Sequence, residues 1–248
     1  MNSMRIAILV TLVGTAAQIV ANPAQYGFFK TLIKPGALVF DVGANNGQKS
    51  IVFNACGARI VCIEPQPNCC NNLRALFENN SNVVIEQKGL AEKPGFLTLS
   101  ICSDSNAIST FSKEWQTNSR FSRGYKWDKT IEVEITTLDN LITKYGLPDY
   151  CKIDVENFEY EVIAGLSQPI PLISLEFAME TFHNTEKCLE HLKDLGYTEF
   201  NFIVEESSSF FLNRWISADE LLATIKKQSV SHVLKSLLWG DIFARITI

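Results

Sequence analysis

Two acidic residues and a glycine-containing loop follow apolar runs early in the chain, in a pattern that suits a bound nucleoside. Asp41 lies near the end of the first run and is followed by a loop from Gly43 to Gly47, and Glu64 ends the second run. Glycines let the backbone approach a ligand closely, and a helix that starts after the loop offers unpaired N–H groups to a carboxylate or phosphate. Glu64 is placed to accept hydrogen bonds from both hydroxyls of a ribose. Either acid, taken alone, also has the simpler interpretation of a cap on a turn or helix.

A second pair of acids, Asp154 and Glu156, follows the apolar run that starts at Tyr150. A carboxylate at the carboxyl end of a strand fits a cationic ligand, because opposite charges attract strongly in a partly desolvated cleft. In open parallel sheets, ligands bind at these strand ends, near the point where the strand order reverses. The sequence therefore predicts one ligand site shared by several strand ends.

The elements that must position these groups alternate between strand-like and helix-like patterns from about Tyr26 onward. Strands are predicted at Ala37–Val42, Arg59–Ile63, Val83–Gln87, Tyr150–Val155, Leu172–Phe177, Glu199–Val204 and Ile242–Ile248. Helices are predicted from the glycine loop to Ala55 and at Asn68–Glu78, Phe158–Leu166, Glu186–Leu195 and Asp219–Gln228. Continuous apolar strands that alternate with helices indicate an α/β fold, in which a mostly parallel central sheet has helices on both faces.

Composition indicates one globular domain and argues against some partners. The chain has 248 residues, of which 46% are hydrophobic and 20% charged. The net charge of −5 is unlike the basic face of a nucleic-acid binder, so no nucleic-acid partner is expected. Seven cysteines cannot all pair and none forms a C-x-x-C motif, which favours buried thiols in a reducing, cytoplasmic location. The three histidines show no ligand spacing, so no metal site is expected.

Residues 1–22 form an apolar segment that we separate from the domain at residues 23–248. Arg5 precedes the apolar run Ile6–Val20, and Ala21, Asn22 and Pro23 follow it, which is the layout of a signal peptide. The run is short and interrupted for a membrane span. Secretion or membrane contact through residues 6–20 and a packing helix therefore both remain open.

One polar insertion, at about residues 103–129, interrupts the alternation. It lies between two alternating strand-like runs, Phe96–Ile101 and Thr130–Thr136, and shows no helical periodicity. A structureless connection of this length inside a compact domain is typical of a lid or a flexible segment.

At this point the sequence resembles a known family, the FkbM-type methyltransferases. The segments that carry the resemblance occur in the order of the family: Val39–Gly47, Ile63-Glu64-Pro65, Lys88–Gly95, Leu138-Asp139, Pro148–Glu156 and Trp239–Arg245. The resemblance extends from about Lys30 to the C-terminus. Two positions depart from the family pattern, since Gly89 stands where alanine is usual and Asn157 stands where glycine usually follows Asp-Val-Glu. Asparagine tolerates a left-handed backbone better than most residues, so the turn is expected to survive.

The resemblance implies a Rossmann-like class I methyltransferase that transfers a methyl group from S-adenosylmethionine, most often to a hydroxyl of a sugar or natural product. The cofactor-binding positions that it carries over are Asp41, Gly43, Ala44, Asn45, Gly47, Glu64, Gly89, Leu90 and Asp154. The glycine loop would cradle the methionine part, which Asp41 would help to orient. Glu64 would hold the ribose, and Gly89 and Leu90 would border the adenine. Asp154 would lie near the methionyl ammonium or the reacting centre.

A hydroxyl acceptor also benefits from a base within hydrogen-bond reach. The catalytic candidates are Asp154, Glu156 and His183, although a histidine in a loop is as readily a solvated surface residue. Acceptor binding is expected in the insertion, where basic and aromatic side chains alternate in an otherwise acidic protein. Aromatic faces stack on sugar rings, and arginine meets phosphate or carboxylate. The substrate-binding candidates are Arg120, Arg123, Tyr125 and Trp127, and the alternative is a solvated loop whose aromatic residues pack on the domain.

Two other functions compete with methyl transfer. A nicotinamide-dependent oxidoreductase shares the strand, loop and acid pattern but prefers G-x-G-x-x-G, which the loop from Gly43 to Gly47 does not match. A non-catalytic binding protein of the same fold is kept open by Asn157. The sequence leaves the acceptor, described only as a small molecule or glycan, and the oligomeric state undefined.

Overall fold

A computed structural model describes residues 21–231 and 238–246 of the chain. Its strands are β1 Leu38–Val42, β2 Arg59–Ile63, β3 Val83–Glu86, β4 Gly89–Leu90, β5 Gly95–Ile101, β6 Lys129–Thr136, β7 Tyr150–Ile153, β8 Leu172–Ala178, β9 Glu199–Phe202 and β10 Trp239–Arg245. Its α-helices are α1 Pro23–Phe29, α2 Gln48–Ala55, α3 Pro67–Leu76, α4 Lys113–Asn118, α5 Leu138–Tyr145, α6 Glu159–Ile163, α7 Phe182–Asp194 and α8 Ala218–Ser231. Two 3₁₀ helices occur at Asn106–Ile108 and Met179–Thr181.

The central sheet has seven strands in the order β3-β2-β1-β7-β8-β10-β9. All neighbours are parallel except β10, which runs antiparallel to both β8 and β9. The chain builds β1, β2 and β3 outward on one side and then returns to place β7 on the other side of β1. The strand order therefore reverses between β1 and β7, where Val42 pairs with Ile153. This arrangement confirms the predicted mostly parallel α/β sheet. In sheets of this kind, ligands generally bind where the strand order reverses, which here is at the ends of β1 and β7.

Strand β1 lies between two hydrophobic clusters, one on each face of the sheet. Phe40 packs in one cluster with Ile153 and Phe177, and Val39 packs in the other with Phe53 and Phe243. Successive side chains of a strand point to opposite faces, and every residue of β1 is buried. Burial on both faces explains why β1 is a continuous apolar run interrupted only by Asp41.

The two alternating runs that flank the insertion pair with each other, as their pattern indicates. Strands β5 and β6 are antiparallel, with Leu97 opposite Val133, and β6 also pairs with β4. These strands form a separate three-stranded sheet, which packs against Phe158, the residue immediately before α6.

The expectation that the insertion lacks structure is corrected. Residues 103–129 contain the 3₁₀ helix at 106–108 and helix α4, which starts where the Ser112 hydroxyl accepts a hydrogen bond from the backbone N–H of Trp115 at 3.2 Å. A helix of six residues spans less than two turns, so it leaves no periodic pattern in the sequence.

The prediction of localisation is also corrected. Among the helices within residues 21–231 and 238–246, none combines the length and the apolar character that crossing a membrane requires. Residues 6–20, on which the expected secretion or membrane contact depends, lie outside the described residues. Membrane attachment is therefore not proposed for this protein. All seven cysteines are free and buried, as expected for thiols that pack as small apolar side chains.

Candidate active site

The loop after β1 is shaped by two glycines that no other residue can replace without strain. Gly43 and Gly47 have φ angles of +81° and +87°, and Asn45 between them has φ +48°. A Cβ on Gly43 would lie 1.8 Å from the carbonyl oxygen of Asp154, and one on Gly47 would lie 2.8 Å from a methyl carbon of Leu76. The loop therefore packs directly on the segment that follows β7, and this contact joins the two strand ends. Helix α2 starts at the end of the loop without a side-chain cap.

Glu64 holds the loop in place from the end of β2. One oxygen of its carboxylate accepts the backbone N–H of Asn45 at 2.9 Å, and the other accepts the backbone N–H of Gln66 at 2.8 Å. The side chain is 2% exposed, and this burial raises the pKa of Glu64 to about 7 although the two N–H donors favour the charged form. Each carboxylate oxygen has a second lone pair, so the chemistry of the group still suits a hydroxyl donor. A contact between Glu64 and a ribose stays a prediction.

A buried lysine connects the two strand ends electrostatically. Lys152 in β7 is 2% exposed, and its Nζ lies 2.8 Å from Oδ2 of Asp154. Burial alone would lower the pKa of Lys152, but the carboxylates of Asp154, Asp41 and Asp241 outweigh burial and hold that pKa above its usual value. Asp41 is 1% exposed, and its Oδ2 accepts a hydrogen bond from Ser50. Its Oδ1 has no partner among the described residues, and burial raises the pKa of Asp41.

Three carboxylates converge beyond this lysine, at the ends of β7 and β8. One oxygen each of Asp154, Glu156 and Glu176 lie within 4.8 Å of one another. Burial raises the pKa of both Glu156 and Glu176 well above the usual range, and the neighbouring carboxylates raise both further. Carboxylates this close cannot all be ionised at little cost, so the cluster tends to hold a proton or another cation. The expectation of no metal site considered only the spacing of the histidines, so it gave no indication of these three carboxylates.

The turn that carries Glu156 has an uncommon backbone. Glu156 and Asn157 have φ angles of +57° and +69°, so the turn survives with asparagine where glycine is expected. Asn157 is fixed by the insertion and by α7, since its Nδ2 donates to Ser112 at 2.9 Å and its Oδ1 accepts from Asn184 at 2.7 Å. The Thr110 hydroxyl donates to the Glu156 carbonyl at 2.6 Å. Left-handed backbone in residues other than glycine costs free energy, and such residues cluster at functional sites.

Trp115 in α4 forms part of the wall around the carboxylate cluster. Its side chain is 3% exposed, and its indole N–H approaches Glu156 closely enough to offset part of the rise that burial causes in the pKa of that carboxyl. Neither Trp115 Nε1 nor Glu156 Oε2 has a hydrogen-bond partner within the described part of the chain. A small cavity of about 10 Å³ is lined in part by Trp115, Asn157 and Glu176.

The structure does not bring His183 into this cluster. His183 lies in α7 rather than in a loop, its side chain is half exposed, and its Nε2 is 3.3 Å from Oε2 of Glu114 in α4. Its predicted catalytic role therefore has no geometric support, whereas Asp154 and Glu156 lie together as expected.

The four residues expected to bind the acceptor have different surroundings. The Arg120 guanidinium makes a bidentate pair with Glu180, at 2.6 and 2.7 Å, so its charge is already matched. Trp127 is half-buried and donates its indole N–H to the Ile108 carbonyl at 2.8 Å. Arg123 and Tyr125 lie exposed on the surface of the insertion. Arg120 thus joins the insertion to the rest of the domain, and Trp127 bonds within the insertion. Acceptor binding by Arg123 and Tyr125 stays a prediction.

Gly89 and Leu90 occupy β4, next to β6. Both are buried, and a Cβ on Gly89 would lie 2.6 Å from Ile135 and 2.9 Å from Phe111. This close packing explains glycine at a position where alanine is usual. Their contact with an adenine stays a prediction.

Sequence reasoning missed three residues of the site. Lys152 and Glu176 each interrupt an otherwise apolar strand, and a buried charge in such a strand is a usable signal. Trp115 carries no comparable signal, because its position depends on how the insertion packs.

The residues at the ends of β1 and β7 suit S-adenosylmethionine, which carries a positively charged sulfonium and an ammonium group. Acidic residues surround the strand ends, with Lys152 as the buried counter-charge, and the buried Oδ1 of Asp41 lacks a partner among the described residues. The Gly43 loop lets the backbone approach closely at the same edge. These features fit a cationic ligand bound across β1 and β7.

The whole chain is similar in fold to several solved structures. Solved structures with similar folds include a precorrin-6y C5,15-methyltransferase from Geobacter metallireducens (13% identity, 94% of each chain covered, TM-score 0.48). They also include an rRNA methylase from Streptococcus thermophilus (8% identity, 90% of this chain and 94% of that chain, TM-score 0.46). A third is an S-adenosylmethionine-dependent O-methyltransferase from Thermotoga maritima (11% identity, 92% of this chain and 67% of that chain, TM-score 0.42). No curated protein sequence matches the chain significantly.

The family model of the FkbM methyltransferase domain matches residues 41–210, which is more than half of the chain and contains the glycine loop, the Glu64 strand end and the carboxylate cluster. This match confirms the resemblance in the sequence and identifies S-adenosylmethionine as the cofactor. The chain belongs to the FkbM methyltransferase domain family and is an S-adenosylmethionine-dependent methyltransferase of the α/β, Rossmann-like class I fold.

Proposed function

We propose that the protein methylates a hydroxyl oxygen of a small polyhydroxylated acceptor such as a sugar, a glycan or a related natural product. The observation that carries this proposal is the cluster of Asp154, Glu156 and Glu176. A hydroxyl is a weak nucleophile until its proton is removed, and a carboxylate of raised pKa is a better base than an ordinary one. Burial raises the pKa of Glu156 and Glu176 in this way.

The residues at the ends of β1 and β7 would hold the methyl donor. The backbone of the loop from Gly43 to Gly47 would contact its methionine part, and Asp41 and Asp154 would face its positive charges. When bound, S-adenosylmethionine would supply an electrophilic methyl group for the acceptor oxygen, with the electrons of the broken carbon–sulfur bond kept by the sulfur of S-adenosylhomocysteine. Lys152 would hold the Asp154 side chain in place, since its Nζ lies 2.8 Å from that carboxylate.

The protein would remove the hydroxyl proton through Glu156. Oxygens of Glu156 and Glu176 lie within 4.8 Å of each other, so protonation of one carboxyl favours ionisation of the other. The ionised carboxylate would take the proton of the acceptor. Trp115 and Asn157 would exclude water from this side of the cluster, because both are buried. Positioning of the acceptor by these walls would supply much of the remaining rate.

The domain from residue 23 to 248 would act as one unit, with the insertion as the wall of the acceptor site rather than a mobile lid. Hydrogen bonds from Thr110 and Ser112 in the insertion to the turn at residues 156 and 157 support this role. A nucleic-acid acceptor is not proposed, because the net charge is −5.

The proposal is tested by transfer of tritium-labelled methyl groups to a panel of methyl glycosides, with matched amines and carboxylic acids as other acceptor classes. Label in base-stable ether products of hydroxyl acceptors is the expected result, with loss in Glu156→Gln and little change in Glu132→Gln, an exposed control on β6. Label on nitrogen or carboxylate acceptors alone would contradict O-methylation. Binding of S-adenosylhomocysteine without transfer to any class would instead favour a non-catalytic binding protein.

A further inference from the structure

We infer that Trp115, Glu156 and Glu176 form a pocket for one hydroxyl of the acceptor, and that this pocket selects a neutral hydroxyl over an ammonium or an anion. The inference rests on the proposed function, because it names the group that the same site would methylate. It adds two residues, Trp115 and Glu176, that come from outside the motifs of the chain.

The unsatisfied indole of Trp115 is the observation that points to a ligand. The side chain is 3% exposed, and its N–H has no acceptor within residues 21–231 and 238–246. A buried N–H without a partner is costly, and most such groups in proteins are paired. The indole N–H approaches the carboxylate of Glu156, whose Oε2 is also buried, but neither atom has a hydrogen bond of normal geometry among the described residues. The indole N–H of Trp115 and Oε2 of Glu156 are therefore both available to a ligand at the same place.

The adjoining cavity has the size of one small polar group. It measures about 10 Å³, and Trp115, Asn157 and Glu176 are among the residues that line it. Glu156 does not line the cavity itself but lies next to Trp115 and Glu176, which do. A volume of about 10–15 Å³ is the least that holds a single water molecule. A hydroxyl with its oxygen near this point would be accommodated, whereas a phosphate or a carboxylate would be too large.

Hydrogen-bond chemistry separates the possible occupants. A hydroxyl accepts and donates at once, so it would accept from Trp115 and donate to Glu156 or Glu176. An ammonium only donates, and it would leave the indole N–H without a partner. An anionic group would accept from the indole but would be repelled by the three carboxylates. A divalent cation would suit the carboxylates but would also leave the indole unpaired. A neutral hydroxyl satisfies both open groups.

The pocket adjoins the proposed methyl donor. Asp154 belongs to the carboxylate cluster, and its carbonyl oxygen packs on Gly43 of the donor loop. A hydroxyl held by Glu156 would thus lie next to the end of β7, where the proposed donor site begins.

The test is a nuclear magnetic resonance titration that observes Trp115 directly. The four tryptophans of the chain give separate indole ¹⁵N–¹H signals, and Trp115→Phe identifies one of them. Full-length protein saturated with S-adenosylhomocysteine is titrated in separate experiments with glycerol, methyl α-glucopyranoside, ethylammonium, acetate and magnesium ions. We expect the neutral polyols to move the Trp115 indole signal to low field, and Glu176→Gln to weaken this binding by about tenfold.

Controls distinguish this inference from the proposed function. The indole of Trp127 already donates to the Ile108 carbonyl, so its signal should stay in place in every titration. Glu161→Gln, on a half-buried glutamate of α6 outside the cluster, should leave polyol binding unchanged. Binding of S-adenosylhomocysteine is followed independently through the backbone amide signals of Gly43 and Gly47. If S-adenosylhomocysteine does not bind, the result counts against the proposed function and not only against the pocket. A Trp115 signal that responds to ethylammonium, acetate or magnesium instead, or to none of the probes while S-adenosylhomocysteine binds, would overturn the pocket.

Discussion

Replacement of Gly43 by alanine tests how closely the two halves of the site pack. The φ angle of +81° is unfavourable for any residue with a Cβ, and the new methyl would lie 1.8 Å from the carbonyl oxygen of Asp154. The left-handed backbone alone costs about 1–2 kcal/mol. Relief of the overlap requires the end of β7 to move, and overpacking of this kind costs about 1–3 kcal/mol more. The expected loss in the free energy of unfolding is therefore about 2–5 kcal/mol.

Gly36→Ala is the matched control. Gly36 has a φ angle of +83°, and nothing lies within 4 Å of the position that its Cβ would occupy. This variant isolates the backbone cost of about 1–2 kcal/mol. Urea unfolding of the two variants and the native protein measures the difference, provided that the slope of the transition is unchanged.

The binding of S-adenosylhomocysteine gives a second measure of the same contact. Calorimetry should show native affinity in Gly36→Ala and affinity weaker by at least about tenfold in Gly43→Ala, an energy of about 1.4 kcal/mol. Equal urea midpoints for the two variants, together with equal affinities, would refute the close packing of the loop on the end of β7.

Three further predictions concern the carboxylates and the turn. Glu156→Gln should lower the rate of methyl transfer by about 10²–10⁴-fold, which is the usual contribution of a general base. The calorimetric affinity for S-adenosylhomocysteine should change little. Full activity of this variant would exclude Glu156 as the base. Glu64 binds a proton more tightly in the folded state, where its pKa is about 7, than in the unfolded state, where it is near 4.5, so its contribution to stability falls as pH rises through this interval. Urea unfolding of Glu64→Gln between pH 4.5 and 7 should therefore show a weaker fall with pH than the native protein, and parallel profiles would count against the raised pKa. Asn157→Gly removes the strain of a left-handed backbone, which is about 1–2 kcal/mol. It also loses two hydrogen bonds of about 0.5–1.5 kcal/mol each and increases the conformational freedom of the unfolded chain, and both effects destabilise the fold. A net loss of about 1 kcal/mol is expected in the same assay, and a gain in stability would show that the contacts to Ser112 and Asn184 contribute little.

The elements predicted most closely are those whose sequence signal is local. Strand β2 has the predicted bounds, and β1 and β3 differ from prediction by one residue, because a short apolar run between turns is itself the signal. The left-handed turn at Asn157 was also expected from the chemistry of asparagine.

The elements that differ from prediction depend on contacts between distant parts of the chain. Strand β10 starts at Trp239 rather than Ile242, because Gly240 and Asp241, which are poor strand formers, are held by pairing with β8. A Cβ on Gly240 would lie 2.0 Å from the Ile203 carbonyl oxygen, so glycine allows this close approach. Pairing of this kind has no signature in either segment alone.

The same distinction applies to the candidate site. The acids that follow strands, Asp41, Glu64 and Asp154, were identified from local pattern and lie where expected at the edge of the sheet. Glu176 lies within a strand, and Trp115 lies in an insertion whose helix is too short to be periodic. His183 illustrates the converse, because proximity to a strand end in sequence does not determine which neighbour a side chain meets.

The most direct test of the account is calorimetric titration of S-adenosylhomocysteine into the full-length protein, with NADH in a parallel titration. We expect a single site of micromolar affinity, weakened in Gly43→Ala but not in Gly36→Ala, and no heat of binding from NADH. Well-folded protein that binds no S-adenosylhomocysteine, or that binds NADH at the same site, would contradict the claim that the loop after β1 and the end of β7 hold the methyl donor.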